Sequence, residues 1–100
     1  MPGVNQTLLT ARIVQASALR YTPAGIPALD LELEHESQAL EAGQPRQVKL
    51  AIRAVAFGTQ AETLARQAIG AQLRFTGFLA AARGGKHPVL HIETFKRLEE

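Results

Sequence analysis

The chain has 100 residues, no cysteine, 46% hydrophobic residues and a formal net charge of +2. One domain, residues 1–100, is the expected size, and a disulfide framework, a thiol nucleophile and a cysteine-based zinc site are excluded. No apolar run approaches the roughly 20 residues that cross a bilayer, and the first dozen residues lack the basic and apolar regions of a secretory signal, so a cytoplasmic protein without membrane contact is expected.

Thr7 to Ala18 reads as a first strand, with Leu9, Ala11 and Ile13 alternating against an outer row of Leu8, Thr10, Arg12 and Val14. Arg20 to Gly25 breaks it. Pro23 presets φ for a turn beginning at Thr22, and Gly25 supplies a residue free to take positive φ. Ala28 to Glu36 is the clearest strand: Leu29, Leu31 and Leu33 face one way, and Asp30, Glu32 and Glu34 the other. Pro27 belongs at its start. Gln38 to Pro45 has loop character, punctuated by Gly43 and Pro45.

Arg46 to Phe57 is a third strand. One face carries Val48, Leu50, Ile52 and Ala54; the other mixes Lys49, Ala51 and Arg53 before turning apolar at Val55 and Phe57. Such a mixture suits a binding surface. Gly58 to Gly70 is the one helix candidate, about three turns long, with Thr59 and Glu62 spaced as a capping box. Gln72 to Ala82 is a fourth strand, in which Gly77 suggests a bulge or sharp bend. Arg83 to His87 is a basic loop made mobile by Gly84 and Gly85. Val89 to Leu98 is a fifth strand, with His91, Glu93 and Phe95 on one side and Leu90 and Ile92 on the other. Five strands with a helix between the third and fourth give an all-β fold, the small Greek-key barrel called the OB-fold.

Charge is segregated along the chain. Asp30 to Glu41 holds five acids and no base, whereas Ala42 to Leu98 holds nine bases against two acids. A basic face can therefore hide within a small net charge. The spacing of His87 and His91 invites a metal site, but four residues apart aligns side chains on a helix, not on a loop and strand, so none is expected. The acids of the second strand have no accompanying nucleophile, and a solvated or partner-docking face is the expected role.

Four stretches in order, "RYTPAGIPALDLELEHES", "EAGQPRQVKLAI", "AIGAQLRFTGFLA" and "VLHIE", resemble primosomal replication protein N, the PriB family. The first also resembles the opening hairpin of bacterial single-stranded-DNA-binding proteins. The resemblance covers about Asn5 to Leu98. It implies an OB-fold homodimer that binds single-stranded DNA, has no catalytic activity and no cofactor, and works in replication restart beside the PriA helicase and, in some bacteria, DnaT. Family members carry aromatic side chains near the loop between the second and third strands; Gln44 to Lys49 here contains none.

Placed on an OB-fold, the expected nucleic-acid-binding residues are Arg46, Lys49 and Arg53 of the third strand, Arg83, Lys86 and His87 of the basic loop, and Arg20 and Tyr21 beside the opening turn. Leu8, Thr10, Arg12 and Val14 are the expected dimer interface, by pairing of the first strand with its copy. Phe75 is expected in the core, and Phe57, Phe78 and Phe95 in core or dimer packing in preference to base stacking. Two functions remain open: a single-stranded-DNA-binding accessory protein, or a module that recruits or stimulates the helicase and binds DNA weakly.

Overall fold

A computed structural model describes residues 3–98. Its strands are β1 (Thr7–Ala16), β2 (Arg20–Tyr21), β3 (Pro27–Glu41), β4 (Gln44–Phe57), β5 (Gln72–Ala81) and β6 (Pro88–Arg97), with one helix, α1 (Thr59–Leu64), between β4 and β5. Hydrogen bonding runs β1-β5-β6-β4-β3 and closes through a β1–β3 pairing. All pairs are antiparallel except β4 with β6. This is the expected OB barrel, and closure removes most of the free edges an open sheet would expose.

The two-residue period fills the barrel. Ile13, Leu29, Leu33, Leu73, Phe75 and Leu90 are fully buried, joined by Leu64 from the helix. Each such side chain contributes about 1.5–3 kcal/mol relative to exposure. The helix seats Ala61 and Leu64 against this core.

Two bulges turn the chain. In β1 the register with β3 skips Val14, where the strand passes from pairing with β5 to pairing with β3. In β6 the register with β5 skips Glu93, opposite the Thr76–Gly77 step. A Cβ at Gly77 would lie 1.9 Å from the His91 carbonyl oxygen, so the bend closes only over a glycine. The extra residue also shifts the alternation of β6. Phe95 therefore packs against the core opposite Phe75, not on the side of His91 as strict alternation predicts.

The predicted loop over Gln38 to Pro45 is instead ladder. β3 and β4 pair without interruption from Ala28–Phe57 to Glu41–Gln44. The reversal needs only Ala42 and Gly43, whose φ values of 52° and 78° fit a two-residue hairpin turn. Pro45 is tolerated because each strand of a two-stranded hairpin has a flank without partners. Fifteen residues at about 3.3 Å each make β3 about 50 Å long, close to the 49 Å longest extent of the molecule.

The helix is shorter than its sequence suggests. It ends at Leu64 and continues through Ala71 as single turns, such as Arg66 N–H to the Thr63 carbonyl and Gln67 N–H to the Leu64 carbonyl. The capping box does not form. Gly58 is the N-cap, with φ 70° and ψ −140°, so Thr59 is already inside the first turn and no side chain caps the end. The glycine conformation sets the helix direction that Thr59 was expected to set.

The opening turn behaves as read. Gly25 N–H donates to the Thr22 carbonyl at 2.8 Å with Gly25 at φ 83°, and the Thr22 hydroxyl accepts from Ile26 N–H at 3.2 Å. Arg20 and Tyr21 continue this hairpin as β2, opposite Ala28 and Pro27. Among the described residues, no helix is long and apolar enough to cross a membrane.

Candidate nucleic-acid interface

The alternation that buries Leu29, Leu31 and Leu33 places Asp30, Glu32, Glu34 and Glu36 on the outer face of β3. The β4 side chains on that same face are Lys49, Ala51, Arg53, Val55 and Phe57. Register sets Glu32 opposite Arg53, Glu36 opposite Lys49 and Asp30 opposite Val55. The outer face is thus mixed in charge. The segregation seen along the chain is undone in space, because neighbouring antiparallel strands carry the acids and the bases.

Three ion pairs form among the described residues. Arg20 donates from Nε and Nη2 to the two carboxylate oxygens of Asp30 at 2.8 and 3.1 Å. Arg46 donates to Glu41 at 2.6 Å across the end of the hairpin, and Arg12 donates to Glu34. The Arg20 hydrogen bonds hold the Asp30 carboxyl below the ordinary carboxylate range, against the opposing effect of its partial burial. The same bonds raise the Arg20 guanidinium.

The expected DNA-binding residues separate into groups. Arg53 of β4 and Arg83 and His87 of the β5–β6 loop line one groove of about 550 Å³, floored by Leu50, Ile52 and Val89. Lys86 lies between Arg83 and His87 on the same exposed loop. Lys49 borders a different hollow, with Glu34, His35 and Glu36. Arg46 is tied to Glu41 beyond the barrel wall. Arg20 is tied to Asp30 at the opposite end of the face, where Tyr21 is 64% exposed.

The row expected to form the dimer interface is also placed. Leu8 is 67% exposed, Thr10 and Val14 are half-buried, and Arg12 is exposed but engaged by Glu34. β1 is not the open edge expected of it. β5 pairs along Thr7–Arg12 and β3 along Arg12–Ala16, which leaves Thr7 to Ala11 without a ladder partner on the β3 side alone. There the His35 ring reaches the Thr10 carbonyl oxygen from Nδ1 at 2.6 Å and the Ser37 hydroxyl from Nε2 at 2.7 Å. A carbonyl only accepts, so Nδ1 donates to Thr10.

One feature of this face escaped the sequence reading. Phe57, His91 and Phe78, on the adjacent strands β4, β6 and β5, form a row of near-parallel rings. Phe78 and His91 have centroids 4.8 Å apart at 11°, and Phe57 and His91 6.3 Å apart at 28°. Phe57 and Phe78 are 43% and 37% exposed, so of the two expected roles, core or dimer packing, the core does not hold them. The usable signal was the phase of β4: Phe57 shares parity with Arg53, not with buried Ala54 and Ala56. The partner strands could not be known without the register. Among the described residues no group of His, Asp and Glu side chains is arranged to hold a metal ion.

Residues 5–94 match the model of a family described as "another single-strand binding protein family". The chain is 46% identical to the replication restart protein PriB of Bordetella pertussis, over 95% of this chain and 90% of that one. It is 45% identical to PriB of Neisseria gonorrhoeae over 96% of each. The solved structure of PriB from Ralstonia solanacearum superposes with a TM-score of 0.90 at 36% identity, covering 97% of this chain and all of that one. The single-stranded DNA binding protein of Thermus aquaticus superposes at 0.77 and 27% identity, over 99% of this chain and 52% of its own. With the barrel order, the turn residues and near full-length identity in agreement, the chain belongs to the PriB family of replication restart proteins, within the wider single-strand binding protein family.

Proposed function

We propose that this protein is a non-enzymatic single-stranded-DNA-binding component of replication restart, acting in the cytoplasm as a homodimer and assisting the PriA helicase, with DnaT as a further partner in some bacteria. The observation that carries the proposal is the groove where Arg53 meets Arg83 and His87. Single-stranded DNA binding needs a cationic track that follows phosphates, and an OB barrel presents its central strands and the β5–β6 loop to one side for that purpose. The loop has Gly84 and Gly85 beside its cations, so it can adjust to a flexible strand. Arg46 and Arg20 contribute less, because a carboxylate already occupies each guanidinium. Lys49 and Tyr21 would extend the track at its two ends.

Fluorescence anisotropy with a labelled oligonucleotide over a salt series tests this reading. Each phosphate contact on a single strand contributes roughly 0.7 to the slope of log K against log salt. Changing both Arg83 and Lys86 to Ala should therefore weaken binding and flatten the slope by roughly 1.4. Binding that ignores salt, or a double variant with unchanged affinity, would refute the electrostatic grip.

A second reading has its own observation. Four acids line the outer face of β3, and two of them, Glu32 and Glu36, lie directly across from Arg53 and Lys49. Such a face disfavours phosphate and suits a basic protein surface, so the dimer would mainly recruit or stimulate the helicase. Helicase stimulation that survives the Arg83/Lys86 double change supports this reading; no helicase contact alongside tight DNA binding rejects it.

A further inference from the structure

We propose that the free edge of β4, from Gln47 to Ala51, is a strand-addition site for an extended acidic peptide. The peptide sets its apolar side chains beside Val48, Leu50 and Ile52, and its acids beside Lys49, Arg53 and Arg83. The proposal concerns a protein partner and does not depend on the chain binding DNA.

β3 accompanies one edge of β4 from end to end, but β6 accompanies the other only along Arg53–Ala56. The ladder shows which backbone groups are left over. Antiparallel partners alternate between pairs that exchange both backbone bonds and pairs that exchange none. Gly58 N–H donates to the Pro27 carbonyl at 2.8 Å, one step beyond the Ala28–Phe57 pair. That bond fixes the phase, and the even-numbered residues of β4 bond to β3. Gln47, Lys49 and Ala51 therefore aim both N–H and C=O at the opposite edge. Among the described residues no strand pairs with them there. Pro45 obeys the same phase, since its missing N–H falls on the open side.

This edge is one wall of the 550 Å³ groove, and the β5–β6 loop is the other, through Arg83, Gly85 and His87. From Pro45 to Ile52 the edge is about 26 Å long, room for an octapeptide. Its alternating donors and acceptors match a peptide strand, which offers both in turn at the same spacing. Phosphates offer acceptors alone and leave the carbonyls unanswered. On the inner face Val48 and Ile52 are half-buried and Leu50 is 43% exposed, so a neighbouring strand with alternate apolar residues would cover an open row. On the outer face Lys49 and Arg53 are exposed and take part in none of the ion pairs among the described residues. Charge complementarity there calls for acids. A lysine on an open edge discourages indiscriminate pairing; here it selects the acidic partner. A second copy of β4 does not fit, because its Arg46, Lys49 and Arg53 would meet the same cations across the ladder.

The probe is a fluorophore-labelled octapeptide of alternating valine and glutamate, followed by anisotropy, with a valine–lysine octapeptide as its opposite in charge. The valine–glutamate peptide should bind saturably and the valine–lysine peptide should not. Amide exchange followed by NMR then reads the edge itself. In the free protein the Gln47, Lys49 and Ala51 amides should exchange fast while those of Val48, Leu50 and Ile52 are already protected by β3. The acidic peptide should slow the first three by about ten-fold or more and change the others little. Ala51→Pro removes one open donor and should weaken peptide binding by about ten-fold; circular dichroism would confirm its folding, and the exchange pattern of the wild type decides the matter without it. No saturable binding at millimolar peptide, equal affinity for the two peptides, or binding that leaves the three amides fast would each overturn the site. An oligonucleotide that slows those amides as much as the peptide does would assign the edge to nucleic acid and overturn it too. Peptide binding in a protein that takes no oligonucleotide supports the proposal while ending the DNA reading.

Discussion

Gly77 shows how one residue can hold a barrel together. Its missing Cβ leaves room for the His91 carbonyl oxygen, which a methyl group would meet at 1.9 Å. The contact is backbone to backbone, so no side chain can swing aside. Gly77→Ala should destabilise the protein by about 3 kcal/mol or more, read as a lower midpoint in chemical denaturation. A wild-type midpoint would show that the β5–β6 bulge relaxes freely. Asp30 carries a different lesson. Its position on an alternating strand suggested a free acid, but Arg20, ten residues earlier, holds it by two hydrogen bonds. Pro23 and Gly25 make the turn that brings the pair together, so the turn gives a cation expected to serve DNA a carboxylate partner.

The β3–β4 hairpin extends well past the barrel wall, and its turn is strained at one place. Ala42 sits at φ 52°, where a side chain costs about 1–2 kcal/mol. Asn accepts this conformation more readily. Ala42→Asn should stabilise the hairpin end by about 0.5–1 kcal/mol, slowing amide exchange near Leu40 and Gln44 by about two- to five-fold. Faster exchange would mean that the turn populates another conformation. A global melt is the wrong probe, since a projecting hairpin can open without the barrel. Gly43 and Pro45 are both turn-formers by composition, which is why this stretch reads as a loop. The continuous pairing on either side decided otherwise. The helix differs from expectation for a related reason. Ala-rich sequence favours helix through Ala68, but the chain must reach Gly70, whose N–H bonds the Ile13 carbonyl.

For the whole molecule, the unpaired flank of β1 bears on assembly. Thr7 to Ala11 have no ladder partner on the β3 side, and Leu8 is exposed beside them. A two-fold copy pairing there would cover Leu8 and extend the sheet. Sedimentation of the wild-type chain should give the mass of two copies. Leu8→Glu should shift it toward one, because a two-fold contact at this flank would bring the new charges together. A one-copy mass for the wild type at tens of micromolar would rule the dimer out. Arg12, expected in the same interface, is already paired with Glu34 within the chain.

By itself the sequence determined the strand phases up to the bulge in β6, the Thr22–Gly25 turn, the barrel class and the bend at Gly77. These are local or near-local consequences of alternation and of proline and glycine chemistry. Only the tertiary structure decided which charges cancel and which rings meet. Cross-strand register sets Glu32 against Arg53 and Glu36 against Lys49, and it gathers Phe57, His91 and Phe78 from positions up to 34 residues apart. A linear pattern fixes which face a side chain takes, but its neighbours across a sheet depend on pairing and on every bulge between. The site was therefore half legible. Arg53, Arg83 and His87 could be expected at one place from the fold class, while the aromatic row appeared only once the three strands were laid side by side.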